Sequence, residues 1–163
     1  MREILFRGQR VDNKKWVEGT PVIYEGIDGT AARILYDART DETGTACRHE
    51  LVDPDTIGQY TGQDDMHGTK IFTGDIVRTY VDDDERRFVV EMKDVDRTVV
   101  VDNPDFSEST TRVRITGYAF GWQGYDLYPV VAEDGTSDVS RVEIIGNRWD
   151  NPELLEEAQD EKV

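Results

Sequence analysis

VDPDTIGQYTGQDDMHGTKIFTGDIV, residues 52–77, punctuates short apolar runs with turn formers, the pattern of short strands rather than of a helix. Asp53-Pro54 closes an extended run, because proline fixes φ and offers no backbone donor. Ile57 and Tyr60 flank Gly58, and a polar, flexible loop from Gly62 to Gly68 precedes the apolar pair Ile71-Phe72. Gly74-Asp75 makes the next turn.

Working outward from this segment, strand signals dominate on both sides. Glu3 to Arg10 alternates apolar and polar residues, turns at Asp12-Asn13, and resumes with Trp16, Val17 and Pro21 to Tyr24, which predicts a hairpin. Asp28-Gly29 separates Val22–Tyr24 from Ala32–Tyr36 and predicts a second hairpin with a type I′ turn, whose central residues need positive φ. Arg39 to Gly44 reads as a polar loop and Thr45 to Val52 as another strand. Ile76 to Val81 runs out to the acidic tip Asp82–Glu85, and Phe88–Met92 returns, with Thr98–Val101 behind it. Arg112 to Phe120 alternates, Asp126 to Ala132 partners it across Gly121–Gly124, and Val139 to Ile145 forms a last strand. One short helix is predicted at the end, with Asn151 as N-cap, Pro152 in the first turn, Glu153, Glu156 and Glu157 at its positive end, and Leu154, Leu155 and Ala158 as its apolar stripe. Residues from Asp160 on are expected to fray.

The fold class is therefore mainly β: antiparallel hairpins, an arrangement like an SH3-type small barrel in the C-terminal part, and one short C-terminal helix. A soft boundary near Thr73-Gly74 divides an N-terminal β part, residues 1–73, from a C-terminal barrel-like part, residues 74–163, unless the two form one compact unit.

Composition narrows the function classes. The chain has 163 residues and a formal net charge of -16, with 35 carboxylates against 19 cations. Such a surface excludes the usual footprint of a nucleic-acid binder, which neutralises phosphates with clustered Lys and Arg, so direct nucleic-acid contact is not expected. The carboxylates are spread along the chain rather than confined to a tail. No run approaches the roughly 18 apolar residues that span a bilayer. The opening MREILFRGQR lacks an apolar h-region, and Cys47 is the one cysteine, so the chain reads as cytoplasmic, without a membrane partner or an internal disulfide.

Residues with catalytic or metal-binding chemistry do not form a recognisable set. Cys47, His49, Glu50, Asp64, Asp65 and His67 are metal-ligand types, but their spacing supplies neither a CxxC nor an HxxxH pair. Asp82–Glu85 lacks the glycine and the distal Glu of a calcium loop. Ser107, Ser109, Ser137 and Ser140 lie in polar loops without a nucleophile elbow. No catalytic residue, metal or cofactor is expected. Tyr118, Phe120 and Trp122 recur at every second position with Tyr125 close behind, which suits either a buried strand face or a ligand face.

Three blocks carry a resemblance to a known family. They are Phe6, Arg7, Gly8, Trp16, Val17 and Gly19 at the front; Pro54, Thr56, Gly58–Gly62, Gly68, Ile71 and Gly74–Val77 in the middle; and Ile145–Asn147 with Asn151–Leu154 at the end. In this order and spacing the chain resembles the YopX family of small proteins encoded by bacteriophages and prophages. The resemblance implies a mainly β protein working in a bacterial host cell and carries over no catalytic residue. Most matching positions are turn formers or apolar anchors, and Gln59, Asp75 and Asn147 are the polar exceptions. The leading functional expectation is a non-enzymatic, homo-oligomeric interaction module that meets a host or phage protein through a face drawn from Gln59, Asp75, Tyr118, Phe120, Trp122 and Tyr125. Two alternatives stand beside it: an acidic mimic of DNA that occupies a basic host protein, and a small-molecule or metal-dependent enzyme.

Overall fold

The computed structural model describes residues 3–155 other than 82, 103, 106 and 123. Asp82 of the acidic tip, the helix residues Glu156, Glu157 and Ala158, the end expected to fray, and the side chains of Asp41, Val81 and Tyr125 lie outside the described set.

Eleven strands form in chain order: β1 (Phe6–Gln9), β2 (Trp16–Gly26), β3 (Gly29–Asp41), β4 (Gly44–Val52), β5 (Gly58–Asp64), β6 (Lys70–Phe72), β7 (Asp75–Val81), β8 (Asp84–Asp102), β9 (Glu108–Trp122), β10 (Tyr125–Leu127) and β11 (Glu143–Asn147). They build two antiparallel sheets, one of six strands in the order β4-β3-β2-β1-β5-β6 and one of five in the order β10-β9-β8-β7-β11. The mainly β class expected from the hairpin signals is what forms. The second sheet is open, with β10 and β11 at its edges, so the SH3-type comparison does not extend to a closed barrel among the described residues. Closure is prevented because β10 pairs over only three residues and the chain then runs to β11 on the opposite edge.

Several local expectations shift for physical reasons. The β2–β3 hairpin turns at Ile27-Asp28, since Gly26 pairs with Gly29. Neither Ile27 nor Asp28 takes positive φ, so the expected type I′ turn is not formed. Beyond it, β3 and β4 continue through the polar 39–44 region, with a bulge after Tyr36 where Asp37 adopts φ 51°. Phe88–Met92 and Thr98–Val101 merge into the single strand β8, because β9 supplies a continuous partner from Val89↔Gly121 to Asp102↔Glu108. Val139 belongs to a 3-10 turn, Asp138–Arg141, capped by the Ser137 side chain, and β11 begins after it.

Two apolar clusters hold the sheets. Ala32, Ile34 and Val52 pack with Phe6, Val17 and Ile57 in the first. Val77, Phe88, Val90, Phe120, Val139 and Val142 pack in the second and take in Ile71 from β6, so the short strand of one sheet seals the core of the other. The loop before β6 is fixed by a buried carboxylate: Asp65 accepts from the N–H groups of His67 and Thr69 at 2.9 and 2.8 Å and from Ile144 N–H at 3.2 Å. Burial pushes this carboxyl up, but the Thr69, Ile144 and His67 N–H groups outweigh it and leave it below its ordinary value. A depressed folded value means that Asp65 stabilises the fold above the unfolded carboxylate range and loses that contribution as pH falls through the folded value. Asp65→Ala is expected to cost about 2–4 kcal/mol at neutral pH, by stranding three donors. In urea titrations the gap between wild type and variant should narrow below about pH 4; a gap unchanged by acid would show that the carboxylate charge plays no part.

Candidate functional site

The three blocks lie far apart in sequence, yet their polar residues meet at the junction of the two sheets. Arg7 on β1 reaches Asp75 at the start of β7 in a buried ion pair, the two side chains being 13% and 1% exposed. The other Asp75 oxygen accepts from Phe72 N–H at 2.7 Å, closing the turn through Thr73 and Gly74. Burial pushes the Asp75 carboxyl up, against the Arg7 guanidinium and the Phe72 N–H that favour its ionised form. The guanidinium is itself sandwiched, 4.5 Å from the Trp16 ring centroid and 4.8 Å from that of Phe72. Its Nε is buried without a hydrogen-bond partner, so the aromatic faces supply contact that a donor would otherwise find in an acceptor.

The last block docks on this sandwich. Asp150 accepts from Gln9 Nε2 at 2.7 Å, Trp16 Nε1 at 2.8 Å and Asn147 Nδ2 at 2.8 Å. Asn147, then Trp16 and Gln9, hold its carboxyl below the ordinary value. Asn147 Oδ1 in turn accepts from the N–H groups of Trp149 and Asp150 at 3.1 and 2.9 Å. The Trp149 ring lies 5.5 Å from that of Trp16 and covers Gly74, where a Cβ would collide with it. Gly146 leaves similar room for Asn151, whose Oδ1 would sit 2.5 Å from an added Cβ. Residues 153–155 begin the short helix, with Leu154 N–H donating to the Asn151 carbonyl at 3.2 Å.

Beside this junction runs a groove of about 320 Å³, lined by Ile57, Val90, Met92 and Trp149 with Asp55, Glu91, Lys93 and Arg148 among its polar groups. Its two cations face carboxylates already: Lys93 lies 3.1 Å from both Glu91 and Asp126, and Arg148 lies 3.3 Å from Glu91. His67 lies 3.6 Å from Glu143, whereas the His49 ring contacts Arg33 at 3.0 Å. Among the described residues, no three His, Cys, Asp or Glu side chains come together as a ligand set.

The residues singled out from sequence fall into two groups. Gln59 and Asp75 belong to the junction: Gln59 N–H donates to Thr73 Oγ1, and its carbonyl accepts from Thr73 N–H, both at 2.9 Å. Tyr118, Phe120 and Trp122 belong to the second core. Phe120 is 7% exposed, with ring centroids 6.2 Å from both Phe88 and Tyr118, while Trp122 packs on Phe88 at 6.4 Å and carries Arg86 over its face at 5.0 Å. Tyr125 joins through its backbone, opposite Trp122. Sequence reading overlooked Gln9, Trp149 and Asp150. Their signal was a polar or aromatic residue beside a turn in each of two distant blocks, and it becomes legible only when the blocks are placed together.

A second exposed feature is the far part of the β8–β9 hairpin. Among the described residues, the strand pairing of 92–102 is with 108–118, since β7 pairs with β8 over 84–89 and β10 with β9 over 120–122. Side chains near the base touch the rest of the chain, Lys93 at Asp126 and Arg97 5.0 Å from the Tyr128 ring centroid. This two-stranded arm runs for about 35 Å at 3.3 Å per residue.

An open two-sheet β architecture, locked where its ends and middle converge, defines the class. The chain belongs to the YopX family, whose model matches residues 5–156. No individual curated protein matches the chain. Among the described residues, no helix is long and apolar enough to cross a membrane.

Proposed function

We propose that the protein is a non-enzymatic interaction module that presents the β8–β9 arm to another protein chain, of the host or of the phage. The observation that carries this reading is the arm itself. A two-stranded ribbon is marginal in water on its own, and among the described residues no further strand pairs along either of its edges. Its side chains include Val100, Val101 and Ile115 at 63%, 40% and 43% exposure, which a partner surface would cover. The junction, by contrast, has its polar groups turned on one another and serves to hold the two sheets that carry the arm.

A photo-crosslinking residue at position 115, introduced in producing cells, is expected to give a defined adduct, with none from the same residue at Ile4, which is 75% exposed. Equal or absent labelling at the two positions would overturn the reading. Joining Lys93 to Gly117, which face each other, through an Asn-Gly turn removes the arm. The shortened protein is expected to stay folded and to lose about 1 kcal/mol of unfolding free energy, the size of the Arg97–Tyr128 contact it gives up. Collapse of the whole fold would instead make the arm part of the core.

A further inference from the structure

Charge along the arm is unevenly placed in a way that a second arm would correct. Residues 92–102 and 108–118 carry four cations (Lys93, Arg97, Arg112, Arg114) and four carboxylates (Asp94, Asp96, Asp102, Glu108), so the chain's net charge of -16 resides entirely elsewhere. On a chain this acidic, the arms approach with nearly balanced charge, Asp105 of the connecting loop being the carboxylate left over. Within one arm the pairing is frustrated. Asp96 alone receives two guanidiniums, Arg114 at 2.8 Å and Arg112 at 3.5 Å. At the tip, Asp102 stands directly opposite Glu108, two like charges in one register.

Strand directions show how the excess at each end finds its complement. Residues of β9 with even numbers share the face of Arg112 and Arg114. If β9 pairs antiparallel with β9 of a second copy about Thr111, Glu108 falls opposite Arg114, Thr110 opposite Arg112 and Ser109 opposite Val113. The tip carboxylate then meets the guanidinium that shares Asp96, twice by symmetry. A two-fold pairing along β8 would bring Asp94, Asp96 and Asp102 of the two copies together with no cation from β8 itself on that face, the nearest being Arg112 and Arg114 one strand away, so β9 is the edge that suits a two-fold pairing.

We propose that two copies of this chain associate through β9, antiparallel about Thr111, joining their arms into one four-stranded sheet in which each Glu108 faces the Arg114 of the other copy. Such a contact is self-complementary and closes at two copies. It places Val95, Val99, Val101, Val113 and Ile115 of both arms on a common face, which also carries Lys93 and Arg97, since all are odd-numbered positions in the β8–β9 register. The proposal rests on the interaction-module reading and names the occupant of the arm.

Sedimentation equilibrium of the purified full chain over a hundredfold concentration range tests it. The wild type is expected to be dimeric, and Arg114→Glu and Glu108→Arg each to weaken the dimer by about tenfold or more. The double swap, Glu108→Arg with Arg114→Glu, is expected to restore it. Residues 108 and 114 lie about 20 Å apart along one extended strand, so rescue can arise only between copies. A wild type that stays monomeric, or a double swap no tighter than the single changes, overturns the proposal. If the purified chain is monomeric while position 115 still cross-links to a different protein in cells, this inference falls and the interaction-module reading stands; if position 115 labels nothing, the module reading falls with it.

Discussion

Arg7→Met is expected to lower folding stability by about 3–5 kcal/mol, because it leaves Asp75 as an unpaired charge with almost no access to water. Asp75→Leu is expected to do comparable damage by stranding the guanidinium between Trp16 and Phe72 and by freeing the Phe72 N–H. The double replacement should cost well under the two single losses combined, since no charge is then left in the junction. Urea unfolding of the four proteins, followed by tryptophan fluorescence, measures this cycle. Additive losses would show that the two residues act separately and that the ion pair is incidental to the fold. The pH dependence has opposing parts. The raised Asp75 carboxyl takes up a proton in the folded state first, so its contribution grows as pH falls toward the unfolded carboxylate range. The depressed Asp65 and Asp150 carboxyls withdraw theirs below that range.

The second large effect is expected at Gly74. Its φ is 90°, where a β-carbon is strained, and that carbon would also run into the Trp149 ring. Gly124 has nearly the same backbone, φ 83°, but nothing within 4 Å of an added Cβ. Gly124→Ala is therefore expected to cost about 1–2 kcal/mol from backbone strain alone. Gly74→Ala adds overpacking and should cost about 3 kcal/mol or more. The excess should shrink when Trp149→Ala is combined with it, since the colliding ring is gone. Equal losses at the two glycines would mean that Trp149 can move aside freely, and so that it does not clamp the junction.

Much of the fold was readable from local chemistry. Alternation at Glu3–Arg10 and Arg112–Phe120, and the turn formers around Asp53-Pro54 and Gly74-Asp75, correspond to strand ends and hairpins in the structure. These signals are local because turn residues and side-chain alternation act over a few positions. Errors arose where partner supply overrode local cues. Asp94, Asp96 and Arg97 look like a break between two strands, but β9 pairs straight through them and makes β8 continuous. The Asp28-Gly29 signal was right about the hairpin and off by one residue about its turn, since cross-strand pairing fixes the register. The junction was the least legible part. Arg7, Trp16 and Asp75 were noted individually, but a contact such as Arg7 with Asp75 depends on the arrangement of both sheets, which no short window of sequence encodes.

The lock formed by Asp150 on Gln9 and Trp16 bridges sequence separations of 141 and 134 residues. During synthesis on the ribosome, the first hairpin therefore waits for nearly the whole nascent chain before its indole and carboxamide donors gain this acceptor. Loop-closure entropy makes such distant pairing a late event, after the local hairpins have formed. A polypeptide interrupted before residue 147 would keep the Arg7–Asp75 pair between its sheets but lack the clasp from Asp150 and Trp149, exposing the flank of Trp16 to proteases and chaperones.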